Sequence, residues 1–233
     1  SEMNTMKLVD KILDGRNIFN SIYCMESYVF DKGLLDEEDL RLYYALADKH
    51  NMDLIDGVIA ACRERLQWLV KDKDNLFVAK VYFKLKKYDP HEQKLSFRPM
   101  HTAKLIDLIC MVSIMNCLMF DDDLDAGKRN LSDLSKLLPH NFYGNIPSTD
   151  VQYLFHRWQT KYKEYTEAVV EHCRAYQKNH SYLTEICLDI KNFFPSISPK
   201  MLYDYIISKL SRRYEDDNEA LSMAVSKLLY FKI

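Results

Sequence analysis

The chain has 233 residues, a mass of 27.6 kDa and a formal charge of −2, with 48% hydrophobic and 28% charged side chains. That mixture excludes a disordered or collagen-like chain, and the near-neutral balance removes bulk electrostatics as an argument for a nucleic-acid partner. The charge is uneven, however: residues 1–60 carry twelve acidic and six basic side chains, and 71–104 carry nine basic and four acidic ones, so a local basic face stands ready for a polyanion or for water.

No proline precedes Pro90, which predicts a mainly helical first third. A helix is expected over 17–30, followed by a turn and the acidic start "DKGLLDEEDLRLYYALADKH". Over 51–70, Leu54, Ile55, Val58, Ile59, Cys62, Leu66 and Leu69 recur at the spacing of an amphipathic helix. The stretch "NLFVAKVYFKLKKYDP", 75–90, reads as a strand with Phe77, Ala79, Val81, Phe83 and Leu85 on one face. Lys80, Tyr82, Lys84 and Lys86 then make the other face basic. A helix with a Phe77, Val81, Leu85 stripe is the alternative.

The apolar run "LIDLICMVSIMNCLMF", 105–120, predicts a buried helix. Lys104, Asp107, Ser113 and Asn116 interrupt it, and it falls short of the roughly 20 residues a membrane span needs. From Asp121 onward, Gly127, Pro139, Gly144 and Pro147 predict an irregular connection around a short helix at 131–138. Asp121, Asp122 and Asp123 read as an acidic solvated loop, since the alternation of a calcium-binding loop is absent. Over 154–176, Leu154, Trp158, Tyr162, Tyr165, Val169, Cys173 and Tyr176 predict a long amphipathic helix. Its aromatic stripe is expected to pack on the core, with base stacking as the alternative. The six cysteines, Cys24, Cys62, Cys110, Cys117, Cys173 and Cys187, form no CxxC pair. Together with the lack of a visible secretory signal, this predicts reduced thiols in a cytoplasmic protein.

"YLTEICLDI" alternates, with Thr184, Ile186, Leu188 and Ile190 on one face and Leu183, Glu185, Cys187 and Asp189 on the other. A strand is expected here, with Asp189 at its open C-terminal end and Pro195 bending the exit. Ser198 then offers an N-cap and Pro199 a first helical residue for the helix over 198–210. A carboxylate at such a place can hold Mg²⁺, and two such ions can activate a hydroxyl and neutralise a departing pyrophosphate. One carboxylate does not complete that site. Glu185 on the same face would lie about 13 Å away by strand rise, so a solvated or capping aspartate remains open at this point.

"LDIKNFFPSIS" resembles the first catalytic motif of bacterial reverse transcriptases of the retron, group II intron and abortive-infection type. "KLSFRPMHTAKLIDLICMVSIMNCLMF" resembles the fingers segment that precedes it in some members. The resemblance implies that Asp189 is catalytic and binds two Mg²⁺ ions, with the backbone carbonyl of Ile190 on one of them. It places Phe194 under the incoming sugar, the backbone amides of Asn192 and Phe193 at the triphosphate, and the Phe193 ring in the core. Arg98 is the implied triphosphate contact in the fingers, with Lys94 and Lys84 as alternatives.

The implied fold is α+β and predominantly helical. It comprises a helical region over 1–70, a fingers-like region over 71–180 and the start of a palm over 181–233. The implied activity is RNA-directed DNA polymerisation, with an RNA template, a DNA primer or product and deoxynucleoside triphosphates as partners, no membrane, and a homodimer where an open palm edge exposes apolar surface. An untemplated or protein-primed antiphage polymerase and a non-catalytic RNA- or protein-binding module are the alternatives. The family's second catalytic motif, an aromatic, any residue, then two aspartates, does not follow in a matching context. "YEDD" at 214–217 stands too close to the first motif, so Asp216 and Asp217 read as a polar surface loop and the chain alone is expected to be inactive.

Overall fold

The computed structural model describes residues 6–180, 182–191 and 193–233, without the side chain of Phe194. The fold is mixed α/β and predominantly helical, with one two-stranded antiparallel sheet among the described residues. The first third is helical as its composition predicts: α1 Leu8–Leu13, α2 Gly15–Cys24, α3 Glu26–Lys32, α4 Glu37–Leu46 and α5 Met52–Lys71. The single helix expected over 17–30 is instead two, divided at the buried Met25. Carboxylates and an amide start three of these helices, α2, α4 and α5. Asp14 accepts from Arg16 N, Asp36 from Asp39 N at 3.0 Å and Asn51 from Leu54 N, each satisfying a donor that the first helical turn leaves unpaired.

The strand reading of 75–90 holds over 80–89, with 75–79 outside the strand, and the helical alternative fails. β1 Lys80–Asp89 pairs with β2 Lys94–Thr102 in a hairpin. Its foot is tied down by charge. Lys80 and Lys104 reach Asp36 at 3.0 and 2.8 Å, and Thr102 Oγ1 donates to Leu34 O at 2.7 Å. Lys104, the Asp39 backbone N–H and Lys80 hold the Asp36 carboxyl well below the usual carboxylate range. The stabilisation is therefore present above the ordinary aspartate pKa and lost only as pH falls through the depressed folded value.

α6 Leu105–Met119 is apolar nearly all round, as a helix at the centre of a core must be. It packs against α1, α2, α5 and a late helix, α10 Asn218–Leu229. Its own N-cap, Lys104, supplies no side-chain bond, and Asp39 Oδ2 accepts from Leu105 N at 2.9 Å instead. Between α6 and α10 run a 3-10 turn at Ser135–Leu137, α7 Trp158–Asn179, the short α8 Phe193–Ser196, α9 Pro199–Leu210 and a second 3-10 turn at Glu215–Asp217. The turn at Ser135–Leu137 replaces the longer helix expected over 131–138. Lys227 of α10 is buried, and its Nζ donates to the carbonyls of Asp72 at 2.7 Å, Lys73 at 3.0 Å and Asn75. That one ammonium fastens α10 to the end of α5.

Two expectations are corrected. No residue of α7 is buried, so the aromatic stripe does not pack on the core. Trp158, Tyr162, Tyr165 and Tyr176 face outward, since periodicity marks an apolar face without saying that anything covers it. Nor is 182–190 a strand: it has no ladder partner among the described residues, and Ile186, Leu188 and Ile190 are 75%, 90% and 64% exposed. An alternating sequence becomes a strand only where another strand accepts its backbone bonds. No helix among the described residues is long and apolar enough to cross a membrane.

Candidate functional site

The hairpin sorts its side chains by face, because residues directly opposite across an antiparallel pair share one. Phe83 faces Pro99, Leu85 faces Phe97 and Tyr88 faces Leu95, giving an apolar side with Phe83 68% exposed. Lys84 stands directly opposite Arg98, Lys87 opposite Ser96, and Lys94 opposite Asp89. A register shift between Leu85 and Lys87 keeps Lys87 in line with the basic side. The structure thus brings Arg98 together with Lys84, and puts Lys94 further along the same ribbon face. Like charges directly opposite one another cost stability. Among the described residues no carboxylate pairs with Lys84 or Arg98, which leaves them available to an anion.

The second group lies on the exposed chain before α9. Asp189 and Ile190 are exposed, and among the described residues no hydrogen bond or ion pair occupies the Asp189 carboxylate. Phe193 begins α8 and is 47% exposed, which corrects the expectation of a core ring. A half-exposed phenyl loses about half of the 1.5–3 kcal/mol that full burial supplies. Asn192 and the Phe194 side chain lie outside the described residues. The next start signal behaves as read: Ser198 Oγ accepts from Met201 N at 3.4 Å, with Pro199 opening α9.

A magnesium ion requires hard oxygen donors. The open Asp189 carboxylate and the Ile190 carbonyl fit as two of them. Among the described residues no group of three or more His, Cys, Asp or Glu side chains converges to hold a metal, and Glu185 is engaged by the Cys187 thiol at 3.4 Å. This stretch therefore offers part of a coordination shell.

The other acidic clusters have internal tasks. Asp217 accepts from Leu8 N at 2.7 Å and so caps α1, which corrects the surface-loop reading of 216–217: they lie in the 3-10 turn Glu215–Asp217 and Asp217 is half-buried. Asp121 pairs with Arg213, Asp122 with Arg129 at 3.0 Å, and Asp123 accepts from the N–H groups of Asp125 and Ala126. The three carboxylates serve different partners, and Asp122 is not the solvated group expected: its partner Arg129 is fully buried. A cleft of about 740 Å³ opens between α2, α5 and the loop after α6 and contains none of the predicted site residues. Its Arg16 is already held by Asp14 and Asp125.

Sequence reasoning missed Lys84 and Arg98 as a facing pair. The signal was present in the alternation of 80–88, but pairing them needed the register of β2. No protein-family model matches the chain, and no curated protein or solved structure shows a significant similarity to it.

Proposed function

We propose that the chain is the fingers and the start of the palm of an RNA-directed DNA polymerase, acting with a second aspartate motif supplied by the rest of the catalytic unit. The observation that carries this reading is the motif "LDIKNFFPSIS" with Asp189 on exposed chain shortly before a capped helix, its carboxylate without a partner among the described residues. The basic face of the hairpin supports it. Asp189 and the Ile190 carbonyl would hold Mg²⁺, which would supply acidification of the attacking hydroxyl and charge compensation for the leaving pyrophosphate. Arg98 and Lys84 hold the triphosphate, and Phe194 lies beneath the sugar.

The test is synthesis on a defined RNA template by a polypeptide that joins this chain to an aromatic-x-Asp-Asp segment, with the product sequenced. A DNA copy of the template supports the reading. Random or homopolymeric product replaces it with untemplated synthesis, and no synthesis with metal and all four deoxynucleotides removes the polymerase reading.

Two further outcomes follow from the assigned roles. Arg98→Gln is expected to raise KM for deoxynucleotide about tenfold, the loss of one charge-assisted contact. Lys84→Gln should do the same while leaving stability unchanged or slightly higher, because it relieves the cross-strand repulsion. A merely structural basic pair would lose stability without moving KM. Phe194→Ala is expected to shift the ribonucleotide to deoxynucleotide incorporation ratio by at least about tenfold, whereas Phe193→Ala leaves the ratio alone and costs about 1–1.5 kcal/mol. Unaltered discrimination in an active Phe194→Ala enzyme takes that ring out of the site.

A non-catalytic nucleic-acid-binding module is the second reading, favoured by the structural employment of Asp217 in the only "YEDD" of these residues. It predicts RNA binding by the 233 residues that weakens steeply with salt and no synthesis by any joined polypeptide.

A further inference from the structure

Three helices close around a small cavity that the candidate site does not use. It has a volume of about 190 Å³, and its lining includes Tyr23 of α2, Glu26 and Phe30 of α3, and Tyr43 and Tyr44 of α4. Glu26 and Phe30 stand four residues apart and so share one face of α3. Phe30 joins the α4 rings into one wall, its centroid 5.6 Å from that of Tyr43 and 5.4 Å from that of Tyr44. Two of the tyrosines are locked by their hydroxyls. Tyr23 Oη donates to Leu46 O at 2.7 Å, and Tyr43 Oη donates to Ile22 O at 2.5 Å, so these rings are held in place ahead of any ligand.

The electrostatics of this cavity select a cation. An aromatic ring carries negative potential over its face, and Tyr23 already attracts one positive group: Lys49 Nζ lies 4.7 Å from its centroid, and Lys49 is not part of the cavity lining. Glu26 is exposed, and among the described residues no hydrogen bond or ion pair occupies its carboxylate. Its charge reaches the rings. Burial first and Glu26 next push the Tyr43 hydroxyl up, and burial, Glu26 and then Asp48 do the same to Tyr23. Lys49 offsets Asp48 in the local count of charge, and that of Glu26 is left over. The volume limits the ligand, being several times the roughly 30 Å³ share of a water molecule and below the roughly 300 Å³ at which drug-sized pockets begin. It admits a head group and excludes a nucleotide. A primary ammonium brings three N–H donors and would bury them against rings and a single carboxylate, at a cost for each donor left unmet. A quaternary ammonium brings none.

We propose that this cavity binds the quaternary ammonium group of a small free cation of the choline type, with the rings of Tyr23, Phe30, Tyr43 and Tyr44 against its methyl groups and Glu26 as the counter-charge. The proposal is independent of the polymerase reading, since none of these residues belongs to the site assigned to it.

Titration of the 233-residue chain with choline, and separately with its uncharged carbon isostere dimethylbutanol, tests it at constant ionic strength, with binding read from the aromatic proton shifts. Saturable binding of choline is expected, with the isostere at least about fivefold weaker because it lacks the charge that the rings and Glu26 attract. Equal affinities make the cavity a merely apolar one and overturn the proposal, as does a choline titration that never saturates. Glu26→Gln and Tyr44→Leu alter exposed side chains, so each should weaken choline by about threefold or more while leaving the denaturation midpoint in place. Unchanged affinity in either variant overturns the assignment, and where a variant fails to fold the comparison of choline with its isostere on the unaltered chain decides. Phosphatidylcholine vesicles provide the last arm: binding to them without a response to free choline would put the group on a lipid and end the assignment of a free cation.

Discussion

Asp189→Asn is expected to reduce primer extension by about a thousandfold or more in a polypeptide that joins this chain to a second aspartate motif. Metal-assisted charge stabilisation contributes several kcal/mol to a transition state, and about 4 kcal/mol corresponds to a thousandfold. Asparagine keeps the shape and one acceptor oxygen of aspartate but loses the negative charge that draws a divalent cation. The folded chain should not notice the change. Asp189 is exposed, and among the described residues its carboxylate has no partner, so stability should stay within about 0.5 kcal/mol. An aspartate retained as a cap or for solubility would give another pattern, with extension unaltered. Primer extension and urea denaturation on the same two proteins separate the cases, and normal extension by Asp189→Asn ends the assignment.

Much of the helical framework could be read from the sequence because its signals are local. The period of Leu54, Val58, Cys62, Leu66 and Leu69 is enough to place α5, and Ser198 with Pro199 is enough to start α9. The continuous apolar run of α6 announced a buried helix. What failed were features whose meaning depends on a partner. Among the described residues, the alternation of 183–190 is a strand pattern without a strand beside it, and the tyrosines of α7 mark a face without a cover. The candidate site divides the same way. Asp189 was legible from its motif, whereas the opposition of Lys84 and Arg98 depends on a register. Arg129 and Lys227 carry no local signal that sets them apart from surface charges, yet both are buried. Their burial follows from where α6 and α10 cross the chain, and no short-range pattern announces that.

Lys227→Met is therefore expected to be among the costliest single changes, at about 3 kcal/mol in denaturant unfolding. The two effects involved oppose each other. Burying an ammonium is unfavourable, and replacing a buried ionic group by an apolar one of similar shape is often neutral. Here, however, methionine would fill the volume of the stem and leave the carbonyls of Asp72, Lys73 and Asn75 without their donor. A buried acceptor left unsatisfied costs about 1–3 kcal/mol; Asp72 and Lys73 are exposed and Asn75 half-buried, so water recovers part of that cost at the three carbonyls, and the remainder outweighs the desolvation saved on one cation. Those carbonyls also shape the turn that leads to Asn75 and Leu76, both held by Arg65, and to the buried Phe77. Loosening the turn should thus expose the foot of the hairpin as well. Lys136→Met, at an exposed lysine, serves as the control and should change stability by no more than about 0.5 kcal/mol. Hydrogen exchange should show faster opening at 72–78 in Lys227→Met and no change there in the control. A neutral Lys227→Met would mean that water reaches the three carbonyls as readily as the ammonium does, and that α10 is held to α5 by its apolar face alone.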